Sequence, residues 1–422
     1  MSCKISKSKL SGKIICPTNK SYTHRAVFVA SLSKGNSRIE NVLRSADTNA
    51  TIQACKNFGI KIDDQQSVLE IKNDLVSIKP SEIDVANSGT TIRIAAAIAS
   101  LSDGKSTLTG DVSIQKRPMQ PLLDALEALG AKCTSNSGTP PITVNGIISG
   151  GEIRIPGNVS SQFITAILIV APLTEKGIIL EIEGDLVSKP YLDATIATMK
   201  KFGVDVKTIE QYKKYSIEKQ EYKGAKFVVP SDFSSLALLL SAAVLVGDDL
   251  TIEVKFEDLP QGDKEFLNIL EKLGVKVDVD NDLVKVQSPE KLNGGNFDLS
   301  NTPDLLPPLA ILALKSKNPI EIFNVRHARY KETDRIKIIA RELKKVGLKI
   351  EEKEDGVTLE NSGELIGVDF DSESDHRLFM AFCIIGMYVG DSTVTNPESV
   401  TVSYPDFISE INNVGGKIST ST

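Results

Sequence analysis

The chain has 422 residues, which predicts roughly two to four domains and a core large enough to need no covalent staples. Its 49 basic and 55 acidic residues give a formal net charge of −6, which excludes a general nucleic-acid binder because phosphate backbones favour a basic surface. Five scattered cysteines without a CxxC pair, and only three histidines, argue against a disulfide framework and a zinc site and favour a reducing cytoplasm.

The beginning of the chain and its apolar runs give no sign of a membrane segment. The first sixteen residues are interrupted by lysines and lack the apolar core of a signal peptide. The longest apolar runs, 163–173 and 236–246, have about half of the ~20 residues that span a bilayer. We therefore expect a protein that does not enter a membrane.

Six times along the chain, a helical segment ends at a glycine and a short alternating strand follows. Glycine just past a helix adopts the left-handed C-cap conformation at little cost, so these glycines are interpreted as structural. They recur roughly every 70 residues, as expected for an internal repeat. The six are Gly59, Gly130, Gly203, Gly274, Gly347 and Gly415.

Small polar residues precede an apolar helix six times, in step with these glycines. In chain order the copies are NKSYTHRAVFVA, NSGTTIRIAAAIA, VSSQFITAILIVA, DFSSLALLLSAA, NTPDLLPPLAILA and SDHRLFMAFCII. Capping of the free N–H groups of a first helical turn explains any single copy. Several copies also add cations, and the fifth adds Asp304 instead. If these positive helix ends converge, they form a site for a multiply charged anion.

Each repeat of about 70 residues is interpreted as strand, helix, strand, helix and two strands. Such a unit does not bury its own apolar faces, so the repeats must pack against one another. Six equal units are compatible with one ring or with two groups of three, and the spacing does not choose between these arrangements.

Three basic segments lie outside the capping positions. In the densest, at 326–335, Lys331 and Arg335 are four residues apart and on a helix would share a face and repel unless an anion lay between them. Glu332, between these cations, is expected to be ionised and either to exchange protons or only to neutralise them. The others are Lys116–Met119, before a helix expected at 121–129, and Ser188–Tyr191, at another helix entry.

Several catalytic signatures are absent from the sequence. It contains no GxGxxG after a strand, no GxxxxGK[ST], no HExxH and no GxSxG. P-loop hydrolysis of ATP, zinc proteolysis and serine-hydrolase chemistry are therefore disfavoured.

Eight motifs in order give the chain its resemblance to a known family: NKSYTHRA, NSGTTIR, LTGDVSIQKRPM, VSSQFITAIL, SKPYLDAT, TPDLLP, YKETDRI and DHRLFMAF. From about residue 14 to about residue 407 the chain resembles the 5-enolpyruvylshikimate-3-phosphate synthases. The resemblance implies a two-domain inside-out α/β barrel of six βαβαββ repeats, three per domain, with the active site in the interdomain cleft. We expect one lobe from 1–18 and 231–422, and the other from 19–230.

The resemblance also implies the reaction. The family transfers the enolpyruvyl (1-carboxyvinyl) group of phosphoenolpyruvate to the 5-hydroxyl of shikimate 3-phosphate, by addition and elimination, and releases phosphate. This step of the shikimate pathway leads to chorismate and the aromatic amino acids and needs no metal or organic cofactor. We expect a cytoplasmic monomer whose partners are these two substrates, with no nucleic acid and no membrane.

Residue roles follow from the resemblance, position by position. Asp304, Glu332 and Lys20 are expected to be catalytic, and the sequence does not say which carboxylate moves which proton. The residues expected to bind shikimate 3-phosphate are Lys20, Ser21, Arg25, Ser160, Ser161, Gln162, Ser188, Tyr191, Asp304 and Lys331. Those expected to bind phosphoenolpyruvate are Lys20, Gly89, Thr90, Arg117, Gln162, Arg335, His376 and Arg377.

Three positions depart from the family pattern. Asn19 stands where the family has aspartate, which should matter little because asparagine also caps. His327 replaces an asparagine and so alters a contact to shikimate 3-phosphate. Val402 replaces a lysine that binds phosphoenolpyruvate, and either a neighbour such as Lys189 or Arg326 substitutes for it or the affinity falls.

Two alternatives remain at this point. The sister transferase that acts on UDP-N-acetylglucosamine shares the fold and the donor, but carries a cysteine in the loop that corresponds to 111–118 and Lys-Asn where this chain has Lys20-Ser21. A non-catalytic binding protein on the same scaffold is the second alternative, since Val402 and His327 have changed. The retained charged residues oppose it, because buried charge is costly once its ligand is lost.

Overall fold

The computed structural model describes residues 1–74 and 77–421. Within these residues the chain forms two compact units. The first unit comprises Met1–Pro17, Ser231–Phe256 and Gly262–Thr422, and the second comprises Thr18–Pro230 and Glu257–Gln261. Sequence analysis assigned residue 18 and the segment 257–261 to the first lobe. The segment belongs to the second unit because Tyr22 Oη donates to the Pro260 carbonyl at 2.7 Å and Asn19 Nδ2 to Gln261 Oε1 at 2.6 Å.

The second unit contains six α-helices and twelve strands among its described residues. The helices are α1 (Lys20–Ser31), α2 (Ala46–Asn57), α3 (Gly89–Ala99), α4 (Gln120–Ala128), α5 (Ser161–Val170) and α6 (Lys189–Lys201). The strands are β3 (Gly35–Glu40), β4 (Ile62–Gln65), β5 (Val68–Asn73), β6 (Glu82–Asp84), β7 (Lys105–Thr109), β8 (Lys132–Asn136), β9 (Thr139–Asn145), β10 (Gly151–Pro156), β11 (Ile178–Glu183), β12 (Lys207–Glu210), β13 (Lys214–Ile217) and β14 (Lys226–Val228).

The first unit has the same number of elements in the residues that the structure describes. The helices are α7 (Phe233–Val246), α8 (Glu265–Lys272), α9 (Leu306–Ile311), α10 (Arg335–Val346), α11 (His376–Val389) and α12 (Phe407–Asn413). The strands are β1 (Ser2–Ile5), β2 (Leu10–Ile15), β15 (Gly247–Glu253), β16 (Lys276–Asp280), β17 (Leu283–Gln287), β18 (Gly295–Asp298), β19 (Ile320–Phe323), β20 (Leu348–Lys353), β21 (Gly356–Asn361), β22 (Asp369–Phe370), β23 (Ser392–Thr395) and β24 (Ile418–Ser421).

Each unit carries three four-stranded sheets with one common pattern: a parallel pair, followed by two antiparallel pairings. The sheet β10-β11-β13-β12 shows it, since β10 is parallel to β11 and the hairpin of β12 and β13 completes the sheet. With α5 and α6 between its strands, this segment is a βαβαββ repeat. Three sheets join distant parts of the chain: β14 pairs with β3 in the second unit, and in the first unit β2 pairs with β15 and β1 lies between β23 and β24.

The core of each unit surrounds the helix that follows the first strand of each repeat. All residues of α7 are buried, and α3 and α5 are buried except for Thr90 and Gln162. The second helix of each repeat, such as α10, is amphipathic and keeps a charged face in solvent. Within each unit the arrangement is inside-out, with helices at the centre and sheets outside, as the family resemblance implied. The six repeat glycines all have positive φ, from 81° at Gly203 to 116° at Gly130, which confirms their assignment as helix ends.

Candidate functional site

Lys20, the first expected catalytic residue, lies at the start of α1. Asn19 caps this helix, because its side-chain oxygen accepts a hydrogen bond from the Tyr22 N–H at 2.7 Å. Lys20 Nζ lies 3.1 Å from Asp47 Oδ2 in the first turn of α2, and Asp47 is buried. The carboxylate therefore holds the ammonium group in place beside a helix N-terminus.

Arg25 is buried one turn further along α1 and connects it to α6. Its Nη1 donates to the Ser21 carbonyl at 3.0 Å, its Nε to Thr195 Oγ1 at 2.9 Å and its Nη2 to the Tyr191 carbonyl at 3.0 Å. Burial lowers the pKa of Arg25 to about 10, so it remains charged at neutral pH. Arg25 thus fixes the backbone of Ser21 and Tyr191, two residues expected to bind shikimate 3-phosphate. Ser188 begins α6 with a left-handed φ of 57°.

The start of α3 brings two buried guanidinium groups together. A Cβ on Gly89 would lie 2.4 Å from Arg117 Nη1 and 3.1 Å from Arg93 Nη1, so only glycine lets both groups approach the helix end. Arg93 donates to Gln162 Oε1, and Gln162 Nε2 donates to Thr90 Oγ1 at 3.1 Å. Two buried like charges at a helix N-terminus are costly unless an anion lies between them. This arrangement is suited to binding a phosphate or carboxylate group.

Arg117 and the start of α5 complete this set of residues. Arg117 Nη2 lies 3.2 Å from both Asn87 Oδ1 and Ser113 Oγ. Ser160 caps α5 by accepting from the Gln162 N–H at 3.3 Å, and Ser161 is buried in the first helical turn. We call Lys20, Arg25, Asp47, Arg93 and Arg117 the cationic cluster; it contains four cations and one carboxylate.

In the first unit, the buried Arg335 binds three carboxylates. Its Nη1 lies 2.7 Å from Asp304 Oδ1, its Nη2 2.8 Å from Glu332 Oε2 and its Nε 2.7 Å from Asp375 Oδ2. Burial, the largest influence, lowers the pKa of Arg335, but the charges of Asp375, Glu332 and Asp304 together raise it above its ordinary value. Arg335 thus fixes both expected acid/base carboxylates through direct hydrogen bonds.

Asp304 also contacts two further cations. Lys331 Nζ lies 3.5 Å from Asp304 Oδ1, and Arg377 Nη2 lies 3.4 Å from Asp304 Oδ2. Asp304 belongs to the short 3-10 helix Pro303–Leu305, whose preceding residue, Thr302, forms no side-chain cap. We call Asp304, Lys331, Glu332, Arg335, Asp375 and Arg377 the carboxylate cluster; it contains three acids and three bases.

Lys331 and Arg335 do not lie on one helix, so the condition under which they would share a face is not met. Asp334 caps α10 by accepting from the Lys337 N–H at 3.0 Å, so the helix begins at Arg335 and Lys331 lies outside it. Both cations meet Asp304, so the repulsion between them is offset by a carboxylate of the chain itself.

The last motif is ordered by Asp375, which sequence analysis did not assign to the site. Asp375 Oδ1 accepts from the N–H groups of Arg377 at 2.9 Å and Leu378 at 3.3 Å, so it caps α11 while it binds Arg335. His376 and Arg377 are buried in the first turn of this helix. Capping therefore aims Arg377 at Asp304.

The charge of Asp304 also influences the pKa values of two other buried groups, Asp263 and His327. Burial, followed by the charge of Asp304, raises the pKa of Asp263 to about 7, and its Oδ2 accepts from the Ser234 hydroxyl. Burial, followed by Lys331, lowers the pKa of His327 to about 4 against the opposite effect of Asp304. His327 is therefore neutral at physiological pH, and its Nε2 forms no hydrogen bond with the described residues.

Val402 and its suggested substitutes lie in different surroundings. Val402 is buried at the end of the 3-10 helix Pro397–Val402. Arg326 is mostly exposed and pairs with Glu354 at 3.0 Å, so this structure does not support it as a replacement cation. Lys189 Nζ lies 5.5 Å from the centre of the Tyr212 ring at the start of α6.

Sequence analysis assigned no role to Asp47, Asp375, Asn87 or Ser113, and it did not include Arg93 among the site residues. Asp47 and Asp375 stand at helix starts, where a cap signal is visible in the sequence, but their cationic partners lie on other helices, α1 for Asp47 and α10 for Asp375. Among the described residues, no group of three or more His, Cys, Asp or Glu residues is arranged to hold a metal ion. In the described part of the chain, no helix is both long and apolar enough to cross a bilayer.

Comparison with known proteins gives a consistent result. The family model described as "EPSP synthase (3-phosphoshikimate 1-carboxyvinyltransferase)" matches residues 5–411. A protein of that name from Nitrosopumilus maritimus is 62% identical over 419 residues, 99% of each chain. Another from Methanococcus maripaludis strain C7 is 40% identical over 418 residues, 97% of each chain.

Solved structures agree on the fold. EPSP synthase from Acinetobacter baumannii matches with a TM-score of 0.83 and 25% identity over 100% of both chains. The enolpyruvyl transferase NikO from Streptomyces tendae matches with a TM-score of 0.80 and 16% identity, over 100% of this chain and 98% of that one. The second likeness concerns the fold alone. These results favour the synthase family over its UDP-N-acetylglucosamine relatives.

Proposed function

Because the chain belongs to the EPSP synthase (3-phosphoshikimate 1-carboxyvinyltransferase) family, we propose that its two clusters carry out that family's reaction. The chain is a transferase of aromatic amino-acid biosynthesis. It moves the enolpyruvyl group of phosphoenolpyruvate to the 5-hydroxyl of shikimate 3-phosphate and releases phosphate.

The geometry of Asp304 and Glu332 carries the proposed roles. Addition requires the 5-hydroxyl to lose a proton and the methylene carbon of phosphoenolpyruvate to gain one. Elimination then removes a proton from the new methyl group as phosphate departs. Arg335 holds both carboxylates, at 2.7 Å and 2.8 Å, so a base and an acid are kept at fixed positions among cations.

The cationic cluster is proposed to bind the anionic groups of the substrates. Both substrates carry a phosphate and a carboxylate, and helix N-termini with lysine and arginine are suited to such groups. Lys20, held by Asp47, is proposed to contact both substrates. Ser160, Ser161, Gln162, Ser188 and Tyr191 are proposed to hold shikimate 3-phosphate, and Gly89, Thr90 and Arg117 to hold phosphoenolpyruvate.

Release of phosphate from phosphoenolpyruvate tests the reaction. We expect release with shikimate 3-phosphate, without added metal, and none with UDP-N-acetylglucosamine as acceptor. Release with the nucleotide sugar alone would assign the chain to the sister transferases. Binding of both substrates without turnover, in folded protein, would favour the non-catalytic alternative.

Val402 gives a first prediction about affinity. We expect Val402→Lys to lower the KM for phosphoenolpyruvate about threefold, since a cation near an anionic ligand gains a charge-assisted bond. The gain is small because Val402 is buried and the ammonium must lose water. Val402→Met, which adds bulk without charge, is the control. An unchanged or higher KM in the lysine variant would refute the idea that the missing cation limits affinity.

We further propose that the chain acts as a monomer in the cytoplasm. All five cysteines are unpaired, which suits a reducing compartment. Analytical ultracentrifugation at working concentration and fractionation of cells test these two points.

A further inference from the structure

A buried line of hydroxyl groups and one imidazole joins α1, α2 and α3. His24 Nδ1 lies 2.6 Å from Thr51 Oγ1, Thr51 Oγ1 lies 2.6 Å from Thr91 Oγ1, and Thr91 Oγ1 lies 2.6 Å from Ser88 Oγ. Each of the four residues has a relative exposure of 0%. The line therefore crosses the core of the second unit between three helices.

Only one order of donors and acceptors is consistent along this line of hydrogen bonds. Thr91 Oγ1 donates to Ser88 Oγ, which uses its single hydrogen. Thr51 must then donate to Thr91, and His24 Nδ1 must supply the hydrogen to Thr51. The imidazole is consequently the Nδ1–H tautomer.

The surroundings of His24 keep it neutral. Burial, followed by the charges of Lys20 and Arg25, lowers the pKa of His24 well below its ordinary value. Its Nε2 forms no hydrogen bond with the described residues, so the line ends there. The line does not change direction with pH in the physiological range.

Each member of the line stands one turn or less from a residue of the proposed substrate site. His24 follows Lys20 by four residues on α1, and Thr51 follows Asp47 by four residues on α2, so both lie directly beneath the Lys20–Asp47 pair. Ser88 caps α3, and Thr91 follows Gly89 and Thr90 in its first turn.

We propose that the His24–Thr51–Thr91–Ser88 line is a positioning device that sets the spacing between the Lys20–Asp47 pair and the anion-binding start of α3. The inference rests on the proposed function, because that function places the Lys20–Asp47 pair and the start of α3 in one phosphoenolpyruvate site. A displacement of about 1 Å in such a site is enough to lose much of its binding and alignment. The four residues are positioning residues, since they act through Lys20 and the α3 backbone.

Thr51→Val tests the proposal at the centre of the line. Valine keeps the shape but leaves the His24 Nδ1–H and the Thr91 oxygen without their partner, so the helices must shift to satisfy them. We expect the KM for phosphoenolpyruvate to rise about tenfold while kcat stays within about threefold. Thr198→Val is the matched control, because its buried hydroxyl binds only the Ala194 carbonyl on α6.

The two variants separate a positioning role from simple stabilisation. Both should unfold at a lower temperature, but only Thr51→Val should change the KM. Equal KM values in both would overturn the proposal. Thr51→Ser retains the hydroxyl and should keep the wild-type KM; a tenfold rise in it would also overturn the proposal, even if Thr51→Val fails to fold.

A double variant tests whether the line acts as one unit. Thr91→Val should raise the KM as Thr51→Val does, and the combination should exceed neither by more than about twofold. Independent contributions, seen as multiplied effects, would argue against a single device.

Nitrogen-15 NMR of the imidazoles gives a readout independent of turnover. The chain has only three histidines, so His24 is assignable by substitution. We expect a hydrogen on Nδ1, a bare Nε2 and no titration between pH 5.5 and 8.5. An Nε2–H tautomer would overturn the proposal. If the wild type binds phosphoenolpyruvate in calorimetry but releases no phosphate, the proposed function fails while the comparison of binding among the variants still stands.

Discussion

The cationic cluster and the carboxylate cluster use the same devices for opposite purposes. Both are built at helix starts and both contain buried arginines. In the cationic cluster, Arg93 and Arg117 approach one helix end and form hydrogen bonds with Gln162, Asn87 and Ser113. In the carboxylate cluster, Arg335 is matched by three acids.

This difference suggests that one cluster binds the anionic substrates and the other transfers protons. An excess of positive charge favours binding of anions, whereas a balanced network of acids and bases favours proton transfer at fixed positions. Changes in the carboxylate cluster should therefore act mainly on kcat, and changes in the cationic cluster, apart from the expected catalytic residue Lys20, mainly on KM. The predictions below test this division.

The largest effect is expected from Arg335→Lys. One ammonium group cannot replace three directed guanidinium bonds, so Asp304, Glu332 and Asp375 lose their alignment. We expect kcat to fall by at least about 10³-fold. Arg341→Lys, on the exposed face of the same helix, is the control and should lose less than about twofold. A kcat close to wild type in Arg335→Lys would show that the network is not needed for catalysis.

Asp304→Asn should be the next most severe change. The amide keeps the shape of the side chain but neither accepts nor releases a proton, so we expect kcat to fall about 10²–10³-fold with the KM for phosphoenolpyruvate within about threefold. Steady-state kinetics of this variant and of Asp278→Asn, a partly exposed carboxylate paired with Lys276, give the comparison. A change confined to KM would assign Asp304 to binding.

Gly89→Ala tests the opposite cluster. The new Cβ displaces the end of the Arg117 side chain, which is flexible, so the fold should lose little stability while the anion site is disturbed. We expect the KM for phosphoenolpyruvate to rise about tenfold with kcat within about threefold. A fall in kcat without a change in KM would contradict the assignment of the cationic cluster to substrate binding.

The smallest effect is expected from Asp263→Asn, on stability. The folded chain holds Asp263 protonated up to a pH of about 7, whereas the unfolded chain ionises it near 4, so wild-type stability falls as pH rises through that window. Asparagine avoids this loss. At pH 8 the variant should be more stable by at least about 1 kcal/mol, with the difference shrinking towards pH 4. Urea unfolding at both pH values measures it; a constant difference would mean that Asp263 does not titrate in this window.

The fold was largely predictable because its signals are local. The helix-ending glycines and the polar caps lie within a few residues of the element that they end or begin. Asn19, Ser88, Ser160, Asp232 and Asp375 all cap as the sequence predicted. The cap fails only in the fifth copy, where Asp304 points instead to three cations.

The site was predictable only in part, because its partners are not local. The sequence indicated Lys20 and Arg335 but not that Asp47 and Asp375 would bind them, since the members of each pair lie on different helices and are 27 and 40 residues apart. Whether Lys331 and Arg335 share a helix was also left open by the sequence, and the cap at Asp334 decides it by starting the helix at Arg335. A motif within one segment shows that a cation is present, but it does not show which carboxylate elsewhere in the chain will form an ion pair with it.

The pairing of the chain ends has a consequence for synthesis on the ribosome. The second unit is almost continuous in sequence, so it has most of its residues once residue 230 has emerged. The first unit must wait, because β2 pairs with β15 and β1 lies between β23 and β24. Strand β2 finds its neighbour once β15 has emerged, whereas β1 emerges first of all and depends on translation reaching β24 near the end of the chain.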